Sequence, residues 1–235
     1  KIPRATRPSC RKIEKSTLMA LMTQPLFNAL WSTANALGHP LFIPIYGFFL
    51  VQSPNSWAAV QWINFSAITI LLVVMPLLIY PILKRSGRVN SLRLKEVKER
   101  PWPLGINVLL LCLLLIVSTE TGPIEPWIQL EPSLFHFFIG ATISVMLAFA
   151  MSLLKHKTSL HLMGCGGLAS FALILNHSVT EIPYWQQPYP ELLIVALAGI
   201  LWVALARYCT KAHSAMELLS GLIVGAAPQW LIFFC

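Results

Sequence analysis

Charged residues are scarce in this sequence. They make up 11% of its 235 residues, against 56% hydrophobic residues, and the mean hydropathy is +0.68. Soluble domains carry roughly a quarter of charged residues, so the composition excludes an ordinary soluble domain and indicates an integral membrane protein. A formal net charge of +8 would otherwise suggest a nucleic-acid partner. Because the 17 lysines and arginines lie in short stretches between apolar segments, we expect no nucleic-acid partner.

Metal-binding patterns are also lacking. The cysteines are odd in number and none has a CxxC partner, which excludes a disulfide framework and a zinc site; they are Cys10, Cys112, Cys165, Cys209 and Cys235. No carboxylate cluster suits Mg²⁺, so the sequence predicts no metal and no other cofactor. The basic start is not followed by an apolar core with a small-residue cleavage site. We therefore expect no cleavable targeting segment.

Long apolar runs dominate the rest of the chain. Taking about 17–25 residues per crossing, we predict an all-α integral membrane protein, a bundle of about six to seven transmembrane helices within residues 37–235. A basic tail over 1–17 and an interfacial helix over 18–36 precede the bundle. The predicted spans are roughly 37–54, 58–83, 103–118, 133–154, 158–176, 190–206 and 214–234.

Lysine and arginine are absent from every second loop. With seven spans, the tail and the loops 84–102, 155–157 and 207–213 fall on one side and hold all 17 cations. The other side holds none. The positive-inside rule then places the cation-rich loops in the cytoplasm. If residues 18–36 also cross the membrane, the tail moves to the other side, but these three loops remain on the same side as one another.

Three polar clusters are therefore expected on one face of the bundle. They are "RLKEVKERPWP" (93–103), "KTSLHLMG" (157–164) and "RYCTKAHSAME" (207–217). Charged groups close to a membrane core are unfavourable, so they suggest a functional site. Ordinary charged loops between helices are the alternative for each cluster taken singly.

The third cluster contains the elements of a nucleophilic site. His213 and Glu217 are neighbours on a helix, so the carboxylate can orient the imidazole and leave its other nitrogen free as a nucleophile. Arg207 and Arg100 offer planar guanidinium groups that suit phosphate oxygens. His161, in the second cluster, is a candidate general acid. A structural histidine and a surface His–Glu pair are the alternative interpretations.

The spacing in the third cluster resembles a signature motif of the type 2 phosphatidic acid phosphatase superfamily. Arg207, five residues, His213, three residues and Glu217 are similar to the family's third motif, Ser-Arg, five residues, His, three residues, Asp. Ala206 replaces the serine, and glutamate replaces the aspartate. Charge type is therefore kept.

The family's two other motifs have counterparts in the same order. Residues 158–161, "TSLH", resemble the second motif, Pro-Ser-Gly-His. Arg93, followed after six residues by Arg100 and proline, resembles the first motif, in which Lys95 is a substitute for the lysine. The resemblance covers roughly residues 93–225 and is closest to a divergent bacterial branch.

The resemblance implies a membrane phosphatase that hydrolyses a lipid phosphate or diphosphate through a phosphohistidine. His213 would be the nucleophile, Glu217 its orienting acid and His161 the general acid. The groups implied to bind phosphate are Arg100, Arg207, Arg93, Lys95 and Ser159. No metal is implied, because arginines supply the positive charge.

The resemblance also bears on location and partners. It implies a bacterial inner-membrane protein in contact with membrane lipids. Many members of the family act on the outer or lumenal face, which conflicts with the charge count, and we prefer the charge count. A homo-oligomer or a partner in a membrane complex remains open.

Two other functions remain open at this point. A non-catalytic subunit of a larger membrane complex could keep the fold without the reaction, although it would be under no pressure to keep both histidines and both arginines. A transporter should carry buried polar groups or broken helices at mid-membrane. The second span offers only Asn64, Ser66 and Pro76. Small residues in 163–170 and 221–225 predict close helix packing and not a nucleotide-binding loop.

Overall fold

The computed structural model of the protein describes residues 25–52, 57–90, 96–119, 128–177 and 190–234. Within these ranges all regular structure is helical, as predicted. Short 3₁₀ turns at Pro40–Phe42 and Val97–Glu99 precede two of the helices, and a π-helical stretch, Ile70–Val74, joins two others. The α-helices are α1 Pro25–Leu37, α2 Ile43–Val51, α3 Ala59–Thr69, α4 Met75–Arg85, α5 Pro101–Val117, α6 Pro132–Leu153, α7 Leu160–His177, α8 Pro190–Cys209 and α9 Ala215–Phe234.

Among the described residues, four helical segments are long and apolar enough to cross a membrane. They are Ala59–Arg85, Val97–Val117, Pro132–Leu153 and Ala215–Phe234. A fifth is added if α1 and the Pro40–Val51 segment, bent by 44° at their junction, form one span. The helices α7 and α8 contain shorter apolar stretches. Length and apolarity therefore support four to five spans, and the predicted count of six to seven is not confirmed by this criterion.

The outer faces of the helices are apolar. On α5, Leu109, Leu113 and Ile116 are 69%, 44% and 62% exposed, and their spacing of four and three residues puts them on one stripe of the helix. Similar exposed residues occur along the other long helices. Soluble proteins rarely expose apolar patches of this extent, so the outer surface agrees with a lipid environment.

Aromatic side chains fill the interior of the bundle. Phe137 of α6 stacks on Phe171 of α7 with ring centroids 4.7 Å apart. Phe48 of α2 and Phe138 of α6 are fully buried in the same cluster. This apolar core contains residues from α2, α3, α5, α6 and α7. The described residues of the charged loops are not part of it.

The helices α7 and α9 run parallel and in close contact. A Cβ atom on Gly221 would overlap the carbonyl oxygen of Ser159, and one on Gly225 would overlap that of Met163. The step of four residues on both helices shows that they run in the same direction. The predicted close packing of the two small-residue stretches is thus confirmed. The two backbones can approach this closely because Gly221 and Gly225 carry no side chain.

Gly225→Ala should destabilise the protein, because the added methyl meets the backbone carbonyl of Met163, which cannot rotate away. Overpacking of this kind costs about 1–3 kcal/mol, to be measured as the midpoint of thermal or SDS-induced unfolding in detergent. Gly199→Ala on α8 is the matched control, since its Cβ would have no neighbour within 4 Å. Equal midpoints for the two variants would contradict the helix packing.

Three charged segments meet at one end of the bundle, which we call the polar end: residues 96–101, 154–160 and 207–217. Arg100 donates to the carbonyl of Thr158 at 2.6 Å, and Lys157 donates to the carbonyl of Ala212 at 3.0 Å. The prediction that the three cation-rich loops share one end is therefore confirmed for the parts described. Residues 91–95 lie outside the described residues.

Candidate functional site

A cavity of about 1130 Å³ extends from the polar end into the bundle. Three histidines and four cations contribute to its polar part, whereas leucine, isoleucine and phenylalanine side chains form its deeper walls. The polar contributors are His39, Arg100, Lys157, His161, Arg207, Lys211 and His213. The arrangement combines an anion-attracting end with an apolar interior.

The turn between α8 and α9 sets the relative positions of Arg207 and His213. The N–H of Ala212 donates to the Arg207 carbonyl at 3.0 Å, and that of Lys211 donates to Tyr208 at 3.0 Å. With Lys211 in the left-handed conformation at φ 53°, this is a Schellman motif, which normally employs glycine at that position. It ends α8 at Cys209, two residues after Arg207, and returns the chain toward the cavity.

A capping box begins α9 and fixes Glu217. The Ser214 hydroxyl accepts the Glu217 N–H at 3.3 Å, and the Glu217 carboxylate accepts the Ser214 N–H at 3.3 Å. This reciprocal pair stabilises the first turn of a helix. The same carboxylate oxygen, Oε2, lies 2.8 Å from Nδ1 of His213. Helix capping therefore holds the group that orients the imidazole.

His213 is buried at 7% exposure, and its environment favours the neutral ring. Burial is the largest cause that lowers its pKa to about 4, and Arg207 and Lys157 lower it further, while the hydrogen bond to Glu217 opposes them. At pH 7 the ring is neutral, with its proton on Nδ1 facing the carboxylate. The lone pair is then on Nε2, as a nucleophile requires.

Lys157 gives the Glu217 carboxylate a positively charged partner, so the carboxylate is paired even when His213 is neutral. Its ammonium group lies 3.3 Å from the Glu217 carboxylate and also donates to the carbonyl of Ala212. Sequence reasoning missed this residue, although it lies in the second cluster, two positions before Ser159. Its positive charge next to the candidate residues Ser159 and His161 could have indicated a role in the site.

An NMR titration of the His213 imidazole in detergent should have its midpoint near pH 4, well below the ordinary 6.5. Glu217→Gln should move the midpoint lower still, because it removes the charge and hydrogen bond that favour the imidazolium. The signal is assigned by its loss in His213→Ala. A midpoint near 6.5 in the wild type, or a rise in Glu217→Gln, would contradict this environment.

Arg100 connects the start of α5 to the second cluster. It is 4% exposed and directs one of its five N–H groups to the Thr158 carbonyl. A proline in the first helical position follows it, which suits a helix start because no N–H is needed there. The guanidinium lines the cavity while it anchors the loop before α7.

The predicted site residues other than Ser159 fall into three groups. Four of them line the cavity together: Arg100, His161, Arg207 and His213. Glu217 lies behind His213 and acts on it directly. The third group, Arg93 and Lys95, lies outside the described residues.

Ser159 was predicted to bind phosphate but is not among the described residues that line the cavity. It is fully buried, its hydroxyl faces the N–H of Leu162 at 3.5 Å, and its own N–H donates to the Glu217 carbonyl at 3.0 Å. The absence of a side chain on Gly221 lets α9 press against it. Its contacts are those of a residue joining α7 to α9.

The helix α1 contributes to the cavity although it belongs to none of the three clusters. Arg207 donates to the side-chain oxygen of Asn35 at 3.1 Å. The ring of His39 meets that of His161 edge-on, with centroids 5.3 Å apart. Sequence reasoning missed both residues, because nothing local relates a position near 35 to one near 207.

Within the described ranges, no group of three or more His, Cys, Asp or Glu side chains is placed to hold a metal ion. Comparison with models of known protein families, with curated proteins and with solved structures finds no match for this chain.

Proposed function

We propose that this protein is a membrane phosphatase that hydrolyses a lipid phosphate or diphosphate through a phosphohistidine, in the manner of the type 2 phosphatidic acid phosphatases that its motifs resemble. One observation carries the proposal. A neutral imidazole, His213, is oriented through Nδ1 by Glu217 in a cavity that Arg100, Arg207 and His161 also line. The test is phosphate release from alkyl and prenyl phosphates in detergent, measured for the wild type and for His213→Ala.

In the first step Nε2 of His213 attacks phosphorus, and the bond from phosphorus to the leaving oxygen breaks. Nδ1 keeps its proton, and the positive charge that develops on the ring is stabilised by the Glu217 carboxylate. Arg207 and Arg100 stabilise the charge on the phosphoryl oxygens. A water molecule then attacks the phosphohistidine, phosphate leaves, and neutral His213 is restored.

The leaving oxygen receives its proton from His161. A neutral imidazole is a very weak acid, so His161 can act as the general acid only as an imidazolium, with a proton on each ring nitrogen. The negative charge of a bound phosphate ester favours that second proton. We propose that the proton is taken up with the substrate and returned by the attacking water.

The cavity supports an amphiphilic substrate. It reaches Gln229 at its deep end, about 12 residues beyond Glu217 on α9, or about 18 Å at the helical rise. Phe137 and Leu111 are among its apolar walls. We propose that the phosphate occupies the polar end while part of an alkyl or prenyl chain lies inside the bundle.

We propose six to seven spans, with α7 and α8 crossing in spite of their shorter apolar stretches, and with the polar end in the cytoplasm. Reporter fusions should then give a cytoplasmic signal in loop 84–102 and an extracytoplasmic signal both in loop 119–132 and at Cys235. The reason is the charge count, since all 17 lysines and arginines fall on the first side. An extracytoplasmic loop 84–102 would overturn the orientation.

A non-catalytic subunit of a membrane complex is the second candidate. Two observations favour it: Ser159 is not among the described residues that line the cavity, and one N–H group of Arg100 donates to the Thr158 carbonyl. In that case the cavity binds an anionic lipid without turnover. Orthovanadate binding without phosphate release would favour this function over the phosphatase.

A further inference from the structure

The helix α1 has two unlike faces. Asn28, Ser32 and Asn35 line the cavity, whereas Leu26 and Leu30 are 67% and 42% exposed. The polar positions recur at steps of four and three residues, so they form one stripe along the helix. This helix is a polar wall of the cavity on one side and an apolar surface on the other.

Gly38 holds α1 against α8 close to the site. A Cβ atom there would lie 2.6 Å from Cγ2 of Val203 and 3.0 Å from the carbonyl oxygen of Ala34. Val203 lies one helical turn before Arg207 on α8. The close approach therefore brings the last turn of α1 level with the guanidinium.

The side-chain amide of Asn35 has only one orientation that satisfies its contacts. Its Nδ2 donates to the carbonyl of Trp31 at 2.8 Å, and its Oδ1 accepts from Arg207 at 3.1 Å. A flipped amide would oppose two donors at Arg207 and two oxygens at Trp31. The contacts therefore fix Oδ1 of Asn35 as the acceptor for Arg207.

We propose that Asn35 is a positioning residue for Arg207, a fourth part of the anion site that lies outside the three motif-like clusters. Its neutral oxygen orients the guanidinium and adds no negative charge beside it. An aspartate here would also hold the arginine, but its charge would compete with the anion. The ring of His39, just beyond α1, meets that of His161, so this end of α1 lies against both groups.

The inference rests on the proposed function only in that the anion is a phosphate ester, and anion binding can be measured without turnover. We expect Asn35→Asp to weaken orthovanadate binding by about tenfold or more, and Asn35→Ala by a smaller factor. Binding is followed by ⁵¹V NMR line width and by calorimetry of the full chain in detergent. His156→Asp is the matched control, since it adds the same charge at an exposed position of the polar end that is not among the described residues lining the cavity; its binding should stay within about twofold of wild type.

The double variant separates positioning from a general electrostatic or structural effect. In an Arg207→Ala background, Asn35→Ala should cause no further loss of orthovanadate binding, since the residue acts through the arginine. An undiminished further loss would overturn the proposal. Wild-type affinity in Asn35→Asp would overturn it as well. Should Asn35→Asp fail to fold, Asn35→Ala in the two backgrounds gives the same decision.

Failure of the inference and failure of the proposed function give different results. If wild type binds orthovanadate in an Asn35-dependent way but releases phosphate from no lipid phosphate, the positioning role stands and the phosphatase proposal falls. If wild type turns over and Asn35→Asp has the same kcat and KM, only the positioning role falls. A wild type that does not bind orthovanadate overturns both.

Discussion

His213→Ala should lower kcat for phosphate release from a lipid phosphate by about 10³-fold or more. The variant removes the only atom, Nε2 of His213, that we assign to attack phosphorus, so no phosphohistidine can form. A radiolabelled phosphate on the substrate should give an acid-labile, alkali-stable label on the wild-type protein and none on the variant. The expected loss is large because the other groups bind the anion without replacing the nucleophile.

His156→Ala is the control for that experiment. His156 is exposed in the loop before α7 and is not among the described residues that line the cavity, so its activity should match wild type. Orthovanadate should still bind to His213→Ala, which would show that the variant is folded. Unchanged phosphate release in His213→Ala would remove the proposed mechanism.

His161→Ala should show a loss that depends on the leaving group. For an alkyl or prenyl phosphate, general acid catalysis is worth about 10²–10⁴-fold, because an alkoxide is a poor leaving group. For p-nitrophenyl phosphate the loss should be small, since the phenolate leaves without a proton. Both substrates are compared in the same detergent, as kcat ratios of wild type to variant.

The comparison of leaving groups distinguishes the acid role from a structural one. A folding defect or a displaced Arg207 would slow both substrates equally. An equal loss would therefore contradict the assignment of His161, even if the overall activity fell. The same pair of substrates applied to His156→Ala should give ratios near one.

One carboxylate links the fold to the chemistry. Glu217 caps α9 through Ser214, pairs with Lys157 and orients His213. The three contacts share Oε2, so the position that starts the helix also sets the tautomer of the imidazole. Any substitution there should change helix stability and nucleophile orientation together, and the NMR titration separates the second effect from the first.

Several features could be predicted from the sequence because they depend on local order. The long apolar runs predict helices in a membrane, and the glycines at 221 and 225 predict a close helix contact. The step of four residues also predicts that His213 and Glu217 are neighbours, and they are hydrogen-bonded. The predicted reason was wrong, because His213 precedes α9, which begins at Ala215, and the capping box of Ser214 and Glu217 brings the carboxylate to the ring.

Other features could not be predicted because they depend on contacts between distant segments. Seven spans are predicted, whereas four to five of the described helical segments are long and apolar enough to cross, because α7 and α8 contain only shorter apolar stretches. Ser159 matches a motif position, yet it is fully buried, lies against Gly221 and is not among the described residues that line the cavity. A motif specifies residue types in order, and the packing of helices decides which side chains reach the site.

The sequence by itself determined the membrane character, the sharing of one end by the charged loops and the candidate pair of His213 and Glu217. Only the tertiary structure decided that Asn35 meets Arg207 across 172 positions and that Lys157 pairs with Glu217. The physical reason is the range of the interactions. Hydropathy and helical period act along the chain, whereas the surroundings of a buried charge are set by segments that meet only when the bundle has packed.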